Sequence, residues 1–260
     1  MKTLENEKLT LGIMTIATNV YIDYWEDMVV SLESNLFEGQ TCVAHVFTEQ
    51  VDRAKVFAKK LTKVLVEVHE IPGYRWPDAT IRRYEVFSKF SNSINQDVVM
   101  HLDADMIILE NVFNDLVAAV KEKDVALVAH PGFWNRKLTP LARLKSILTR
   151  SKTINGSWET RPESEAFVDS DTRKPYVCGG IWLGKNQAIF DLVKKLAKSV
   201  EIDRAKSIMA VWHDESHLNK WASKNDFELL TPEFCFVSEY KHLEGLKPKV
   251  LAVTKKVKTR

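Results

Sequence analysis

An α/β fold built on a mostly parallel sheet is predicted by three observations. Strand-like apolar runs alternate with segments of helical spacing along the first hundred residues, which is the pattern of consecutive βα units. The run Val98-Val99-Met100-His101-Leu102 is almost wholly apolar, as expected of a strand covered on both faces. The chain has 260 residues, 45% of them hydrophobic, enough for a sizeable core in one domain or two closely packed halves.

Taken in order, Leu9 to Ala17 is an apolar strand, and Thr18-Asn19-Val20-Tyr21 leads into an amphipathic helix to about Asn35. Cys42 to Thr48 is the second strand, Arg53 to Leu61 a helix, and Val64 to His69 the third strand. The loop Ile71-Pro72-Gly73-Tyr74-Arg75-Trp76-Pro77-Asp78 precedes a helix from about Thr80 to Asn92. A fourth strand then ends at Asp103, completing a βαβαβαβ opening that resembles a nucleotide-binding half. Further on, Val125 to Ala129 is a strand, and Arg136 to Lys152 has the spacing of a basic amphipathic helix.

Composition removes several function classes. Thirty-seven basic and 35 acidic side chains leave a net charge of +2, which supplies no global field for nucleic acid. No apolar run reaches about 18 residues, and Met1 to Lys8 lacks a signal-peptide apolar region, so a cytoplasmic protein without a transmembrane anchor is expected. Cys42, Cys178 and Cys235 form no CxxC pair, and reduced thiols fit the same compartment.

The chemistry concentrates in two places. Asp103-Ala104-Asp105 lies where the fourth strand stops being buried, and ligands of open α/β sheets collect at such carboxyl ends. Two acids one residue apart there suit a divalent cation and a phosphate, although a surface turn also favours Asp. The chain has no GxGxxG and no GxxxxGK[ST], so a bound nucleotide needs another means of neutralising its phosphates. A metal on Asp103 and Asp105 would supply it.

The second place is Trp212-His213-Asp214-Glu215-Ser216-His217-Leu218-Asn219-Lys220. A helix start with Asp214 as N-cap accounts for the acids structurally. His213 and His217 are four apart, yet the intervening order departs from H-E-x-x-H and speaks against a zincin protease. Adjacent carboxylates flanked by His and Trp fit a sugar site, where they stabilise or attack an oxocarbenium-like centre. Gly179-Gly180 forms either a hairpin turn or an opening that no side chain blocks. Two rival readings remain at this point. A metal-dependent hydrolase would gather Asp103, Asp105, Asp214 and His217, whereas a noncatalytic sugar-binding module would use Trp134, Trp158, Trp182 and Trp212.

An ordered set of segments resembles glycosyltransferase family 6, the family of histo-blood-group A and B transferases and α1,3-galactosyltransferases, in a short prokaryotic or phage-type form. The set comprises Arg82-Arg83-Tyr84-Glu85, Leu102 to Met106, His130-Pro131-Gly132-Phe133, Arg161 to Ala166, Gly179-Gly180 and Trp212 to Lys220. The resemblance implies a GT-A fold in one domain, with a nucleotide-binding half at about 9–108, an acceptor and catalytic half at 109–245 and a basic tail at 246–260. It implies retaining transfer of GalNAc or Gal from a UDP-sugar to the 3-hydroxyl of a β-galactoside in an oligosaccharide or glycan acceptor.

By the same resemblance, Asp103 and Asp105 bridge Mn²⁺ and the diphosphate, Tyr21 stacks on uracil, and Ala17 and Thr18 are neighbouring uridine contacts, with Thr18 replacing a bulkier apolar residue. Arg83 stands beside the metal motif and donor sugar. His130, Ser157, Trp212 and His213 fall on the substrate side, Asp214 at the donor sugar, and Glu215 at the nucleophile or acceptor anchor. Gly132 and Gly180 match the positions that admit an N-acetyl group, which favours UDP-GalNAc over UDP-Gal; Cys178, where those enzymes have Leu or Met, and Gly179 are further substrate-side positions. Lys255 belongs to a basic tail that closes over UDP. Many bacterial members carry Asn-x-Asn and need no metal, whereas both acids here predict Mn²⁺ dependence. Glu215 is left with two roles, covalent nucleophile or stabiliser of a same-face transfer.

Overall fold

The structure, a computed structural model, describes residues 9–36, 39–135 and 155–253. The basic stretch from Arg136 to Lys152 and the tail containing Lys255 lie outside the described residues. Among the described residues there are nine strands: β1 Thr10–Ile16, β2 Thr41–Thr48, β3 Val64–Glu70, β4 Val98–Leu102, β5 Met106–Ile108, β6 Val125–Ala129, β7 Val177–Lys185, β8 Glu228–Leu230 and β9 Val250–Ala252. The α-helices are α1 Tyr21–Asn35, α2 Val51–Ala58, α3 Asp78–Ile81, α4 Arg83–Lys89, α5 Phe113–Glu122, α6 Asn186–Ala205 and α7 His213–Lys224.

Seven strands form one sheet in the order β3-β2-β1-β4-β7-β6-β8. The pairs β1–β2, β1–β4, β2–β3 and β6–β8 are parallel, and β7 enters antiparallel to both β4 and β6. This is the mixed, mostly parallel α/β sheet of a GT-A-like architecture. Alternation along β4 explains the near-continuous apolar run. Val98, Met100 and Leu102 join the core beneath α1 and α5, while Val99 joins the core beneath α4, α6 and α7. Because strands β1 and β4 are neighbours while β2 lies on the other side of β1, strand order reverses beside β1. A crevice opens at the carboxyl ends of such a pair, and β4 there runs straight into Asp103.

Three local outcomes differ from the periodicity. The helix expected at Arg53 to Leu61 runs from Val51 to Ala58, because the chain turns at Lys60 and Leu61 with their N–H groups donating to Phe57 and Ala58. The single helix expected from Thr80 to Asn92 is broken at Arg82 into α3 and α4, and the break starts α4 with Arg83 buried against the sheet end. Gly179-Gly180 is no hairpin turn but the interior of β7, facing the crevice.

Candidate active site

The carboxylate motif is held by the end of β4. Asp103 N–H donates to Gly180 O at 2.9 Å, extending the β4–β7 ladder one step past the strand. His101 precedes it by two residues and therefore shares its face of the strand. Its Nε2 is 3.1 Å from Asp103 Oδ1 and its Nδ1 3.0 Å from Met14 O, so a buried imidazole fixes the carboxylate's position.

Arg83 joins the two predicted chemical clusters. Nη2 donates to Asp103 Oδ1 at 2.8 Å, Nη1 donates to Gly179 O at 2.8 Å, and Nη1 forms an ion pair with Asp214 Oδ2 at 3.0 Å. Its side chain is 6% exposed, against 34% for Asp103 and 7% for Asp214. A buried guanidinium thus serves two carboxylates, and such a group is stable only with this pairing.

Glycines in β7 make the close approach possible. A Cβ at Gly180 would meet Asp103 Oδ2 at 2.8 Å, and one at Gly179 would meet Glu215 Cβ at 3.1 Å and Asp214 Oδ2 at 3.4 Å. The small residue at 180 therefore accommodates the motif carboxylate while it also lines the open crevice. Gly132 is different, since it lines the open crevice and a Cβ there would meet only the His130 ring within 3.4 Å.

Asp214 and Glu215 occupy the first turn of α7, which Asn219 fastens to β7. The Asn219 amide accepts from Val177 N–H at 2.9 Å and donates to Val177 O at 2.8 Å and to Glu215 O at 3.0 Å. Tyr84 Oη donates to Asp214 O at 3.2 Å. The N-cap position is Trp212, without a side-chain cap bond, so Asp214 is free of the capping role and points at Arg83. Glu215 Oε2 accepts from Gly179 N–H at 2.8 Å. Burial pushes the Glu215 carboxyl up to about 7, partly offset by the Gly179 N–H and Tyr176 hydroxyl bonds. Burial likewise raises Asp214 to about 6 against the opposing Arg83 charge. Two adjacent acids that titrate near neutrality are what acid–base or nucleophilic chemistry needs.

The remaining substrate-side residues are brought to the same crevice. A cavity of about 800 Å³ is lined by Arg83, Asp103, His130, Gly132, Gly179, Gly180, Trp212, His213, Asp214 and Glu215, with Thr80 and the segment Glu239 to His242. Trp212 is 51% exposed there, and its Nε1 donates to Ser157 Oγ. His130 Nδ1 accepts from Gly132 N–H at 3.0 Å, and burial holds its pKa down at about 4, so it faces the cavity neutral. His213 starts α7 at φ 48°, a strained left-handed conformation, and its ring meets Trp76 edge-on at 5.4 Å.

A second cavity of about 350 Å³ is lined by Thr18, Tyr21, Tyr74, Arg75, Trp76 and Asp105 among others, and it shares Thr80, Arg83 and Asp103 with the first. Thr18 Oγ1 and Asn19 Nδ2 both donate to Tyr74 O, at 2.7 and 2.9 Å, tying the loop after β1 to the loop after β3. Ala17 is fully buried beneath this floor, its N–H donating to Phe47 O at 2.9 Å. Cys178 is also buried, beside Cys235, and does not line the crevice.

Other residues singled out in the sequence lie elsewhere. His217 Nδ1 is 2.7 Å from Ser199 Oγ and its Nε2 faces Asp203 at 3.6 Å, so it belongs to the contact between α6 and α7. Trp182 is fully buried, which withdraws it from any sugar-stacking surface, while Trp158, 6% exposed, lines with Trp134 a neighbouring cavity that shares His130 and Phe133 with the larger one. In Arg161-Pro162-Glu163-Ser164, Arg161 pairs with buried Glu159 at 2.6 Å and donates to Met209 O at 2.6 Å, while Glu159 accepts from Val211 N–H. That motif shapes the approach to Trp212. His101, Tyr84, Tyr176 and Thr80 were not singled out as site residues; of these, only His101 had a legible signal, its i−2 position on the motif strand.

Asp103 and Asp105 offer hard oxygen donors, and among the described residues no third carboxylate or imidazole joins them in a compact donor cluster. That donor set fits a cation completed by phosphate oxygens rather than an all-protein cage.

The sequence model of Glycosyltransferase family 6 matches residues 1–259. Among characterised proteins, the chain is 27% identical over 232 residues to Histo-blood group ABO system transferase 1 of Rattus norvegicus, covering 88% of this chain and 61% of that protein. It is 23% identical over 236 residues to Globoside alpha-1,3-N-acetylgalactosaminyltransferase 1 of Gallus gallus, covering 87% and 61%. It is 24% identical over 233 residues to O-antigen biosynthesis glycosyltransferase WbnI of Escherichia coli, covering 89% and 90%. The alignment thus spans about three fifths of the animal relatives' length and nearly all of the bacterial one.

Proposed function

The chain belongs to glycosyltransferase family 6, and from that premise we propose that it is a UDP-sugar-dependent hexosyltransferase. It transfers GalNAc or Gal with retention to the 3-hydroxyl of a β-galactoside-type glycan acceptor. The observation that carries the proposal is Arg83, whose one guanidinium holds Asp103 at the floor of the smaller cavity and Asp214 at the wall of the larger. Two cavities joined at a positive charge suit a ligand with an aromatic base at one end, a diphosphate in the middle and a sugar at the other.

Each end has the chemistry for its part. Tyr21, Tyr74 and Trp76 line the smaller cavity and offer aromatic faces to uracil. Asp103 and Asp105 would hold Mn²⁺ at the diphosphate, where the cation would neutralise charge on the departing UDP, while Arg83 adds positive charge beside it and fixes Asp103 and Asp214. Asp214 grips a donor-sugar hydroxyl. Glu215, ionised, faces the anomeric centre either as nucleophile or as electrostatic stabiliser, and retention follows from both. Trp212, His130 and Ser157 receive the acceptor galactoside. No described helix is long and apolar enough to cross a membrane, and a cytoplasmic location remains part of the proposal, as does a single domain over 1–260.

UDP-GalNAc is the preferred donor. Gly132 and Gly180, both lining the larger cavity of about 800 Å³, support that choice. A pocket difference of this size discriminates donors by about 1–3 kcal/mol. Hydrolysis of UDP-GalNAc, UDP-Gal and UDP-Glc in parallel, with and without EDTA, tests donor and metal together. UDP-GalNAc should turn over fastest, EDTA should abolish turnover, and Mn²⁺ should restore it. Undiminished activity in the metal-free protein would refute the role given to Asp103 and Asp105, and absence of turnover with all three donors would refute the reading as a whole.

The carboxyl-terminal segment supports a further contact with UDP. Strand β9 pairs with β5 directly after the motif, and Val253 N–H donates to Asp105 O at 2.9 Å. The residues that follow include Lys255, Lys256, Lys258 and Arg260. Deleting residues 254–260 is therefore expected to weaken UDP binding by about three- to tenfold, measured by titration calorimetry; equal affinity in both proteins would contradict it.

A further inference from the structure

Away from the crevice, β2 and β3 place three metal-type side chains on one face of the sheet. Parallel register sets His45 opposite Glu67 and Phe47 opposite His69, so side-chain alternation directs His45, Glu67 and His69 the same way. His45 Nδ1 is 3.1 Å from His69 Nε2 and 3.4 Å from Glu67 Oε2. The edges of a tetrahedron around Zn²⁺ at normal bond lengths are about 3.3 Å. Among the described residues this is the only group of three with ligand atoms so close together.

The tautomer of His45 is set from behind. Its Nε2 donates to Gln96 Oε1 at 2.8 Å, which leaves the Nδ1 lone pair directed at the other two side chains. Gly12 makes that support possible, since a Cβ there would meet Gln96 Oε1 at 2.8 Å. The His69 ring is clamped between Phe47, at 4.6 Å, and Phe90, at 4.9 Å. Without a cation, His69 Nε2–H donates to His45 Nδ1, and the Glu67 carboxylate faces the same lone pair at 3.4 Å. A cation converts that opposition into coordination by two imidazoles and one carboxylate.

We propose that His45, His69 and Glu67 form a zinc site that fastens edge strand β3 to β2. Two nitrogens and one oxygen suit Zn²⁺, whereas the all-oxygen pair at Asp103 and Asp105 suits Mn²⁺. The side chain of Glu67 is 50% exposed while that of His45 is fully buried, so the ion enters from the Glu67 side and a water completes the shell. The outer contact from Gln96 orients the ligand, as such contacts do in metal sites generally.

The test is a Co²⁺ titration of the metal-stripped full chain carrying Asp103→Asn and Asp105→Asn, which removes the other cation site. Binding is followed by the visible absorption of tetrahedral cobalt, with Zn²⁺ then added to displace it. The expected result is one equivalent of coloured cobalt, lost in Glu67→Gln and His69→Ala and bound about 10–100-fold more weakly in Gln96→Leu. Zn²⁺ should also raise the unfolding temperature of the parent and not of Glu67→Gln. No visible absorption, or absorption that survives Glu67→Gln, overturns the proposal and leaves a hydrogen-bonded histidine pair. Because the Glu67 side chain is half exposed, that variant decides the matter even if His69→Ala fails to fold.

Discussion

Glu215→Gln is expected to lower UDP-sugar turnover by about 10²–10⁴-fold while leaving UDP affinity within a factor of two or so. The substitution keeps the size of the side chain, and the amide oxygen still accepts from Gly179 N–H, the bond Glu215 Oε2 makes at 2.8 Å. What is removed is the negative charge beside the anomeric centre. Because both proposed roles of Glu215 need that charge, the prediction does not depend on which of them operates.

The pH profile sharpens this expectation. Burial raises Glu215 to about 7 and Asp214 to about 6, so both are largely protonated at pH 5 and ionised at pH 8. Turnover in the parent should rise through this interval, with apparent values belonging to the pair because the two acids are adjacent. The residual activity of Glu215→Gln should lack the upper titration. Turnover close to that of the parent, with the same pH dependence, would show that the reacting sugar does not meet Glu215.

How much of this arrangement is legible in the chain depends on whether the determinant is local. Strands β1, β2 and β4 are visible because both faces of each are covered, so apolar runs such as Val98 to Leu102 mark them directly, whereas edge strand β3 leaves Leu65 and Glu67 exposed and is marked by the alternating Val64, Val66 and Val68. The motif acids are visible for the same reason, as the place where that burial ends. Strand β7 is harder, since Gly179 and Gly180 look like turn residues and their strand conformation is set by β4 and β6 on either side. The glycines are there for Asp103, Asp214 and Glu215, all distant in sequence. The break at Arg82 is likewise invisible to helical periodicity. Short strands β5, β8 and β9, of three residues each, exist only through their partners.

The site follows the same division. Asp103, Asp105, Asp214 and Glu215 stand out as adjacent or alternating acids, whereas the reason they work together is Arg83, whose contacts lie 20, 96 and 131 residues along the chain at Asp103, Gly179 and Asp214. Only the resemblance to a family singled out that arginine beforehand. Tyr84 lies in a segment of the resemblance but nothing marked its role, and Tyr176 had no signal, because a buried tyrosine whose hydroxyl serves an active-site acid is indistinguishable in sequence from any core aromatic.

Arg83→Met is therefore expected to have the largest effect on the fold. Breaking a buried ion pair by removing one partner costs about 3–5 kcal/mol, and here one deletion leaves two carboxylates without their cation. Asp103, at 34% exposure, recovers some hydration, but Asp214, at 7%, does not. The sign of the pH dependence follows from Asp214. Its folded pKa is already raised, to about 6 from an ordinary 3.8, so ionising it costs stability as pH rises between those values. Without Arg83 that pKa moves higher still, and the costly window extends above pH 6. Denaturant unfolding should accordingly show a smaller deficit for Arg83→Met at pH 5, where Asp214 is protonated in both proteins, and a larger one at pH 8. Arg83→Lys should retain more of the stability and still lose donor turnover, because one ammonium cannot reproduce the fork that spans Asp103, Gly179 O and Asp214. Equal unfolding midpoints for the parent and Arg83→Met at pH 8 would mean that Asp103 and Asp214 do not need a shared counter-charge, and the link between the two cavities would have to be sought in another residue.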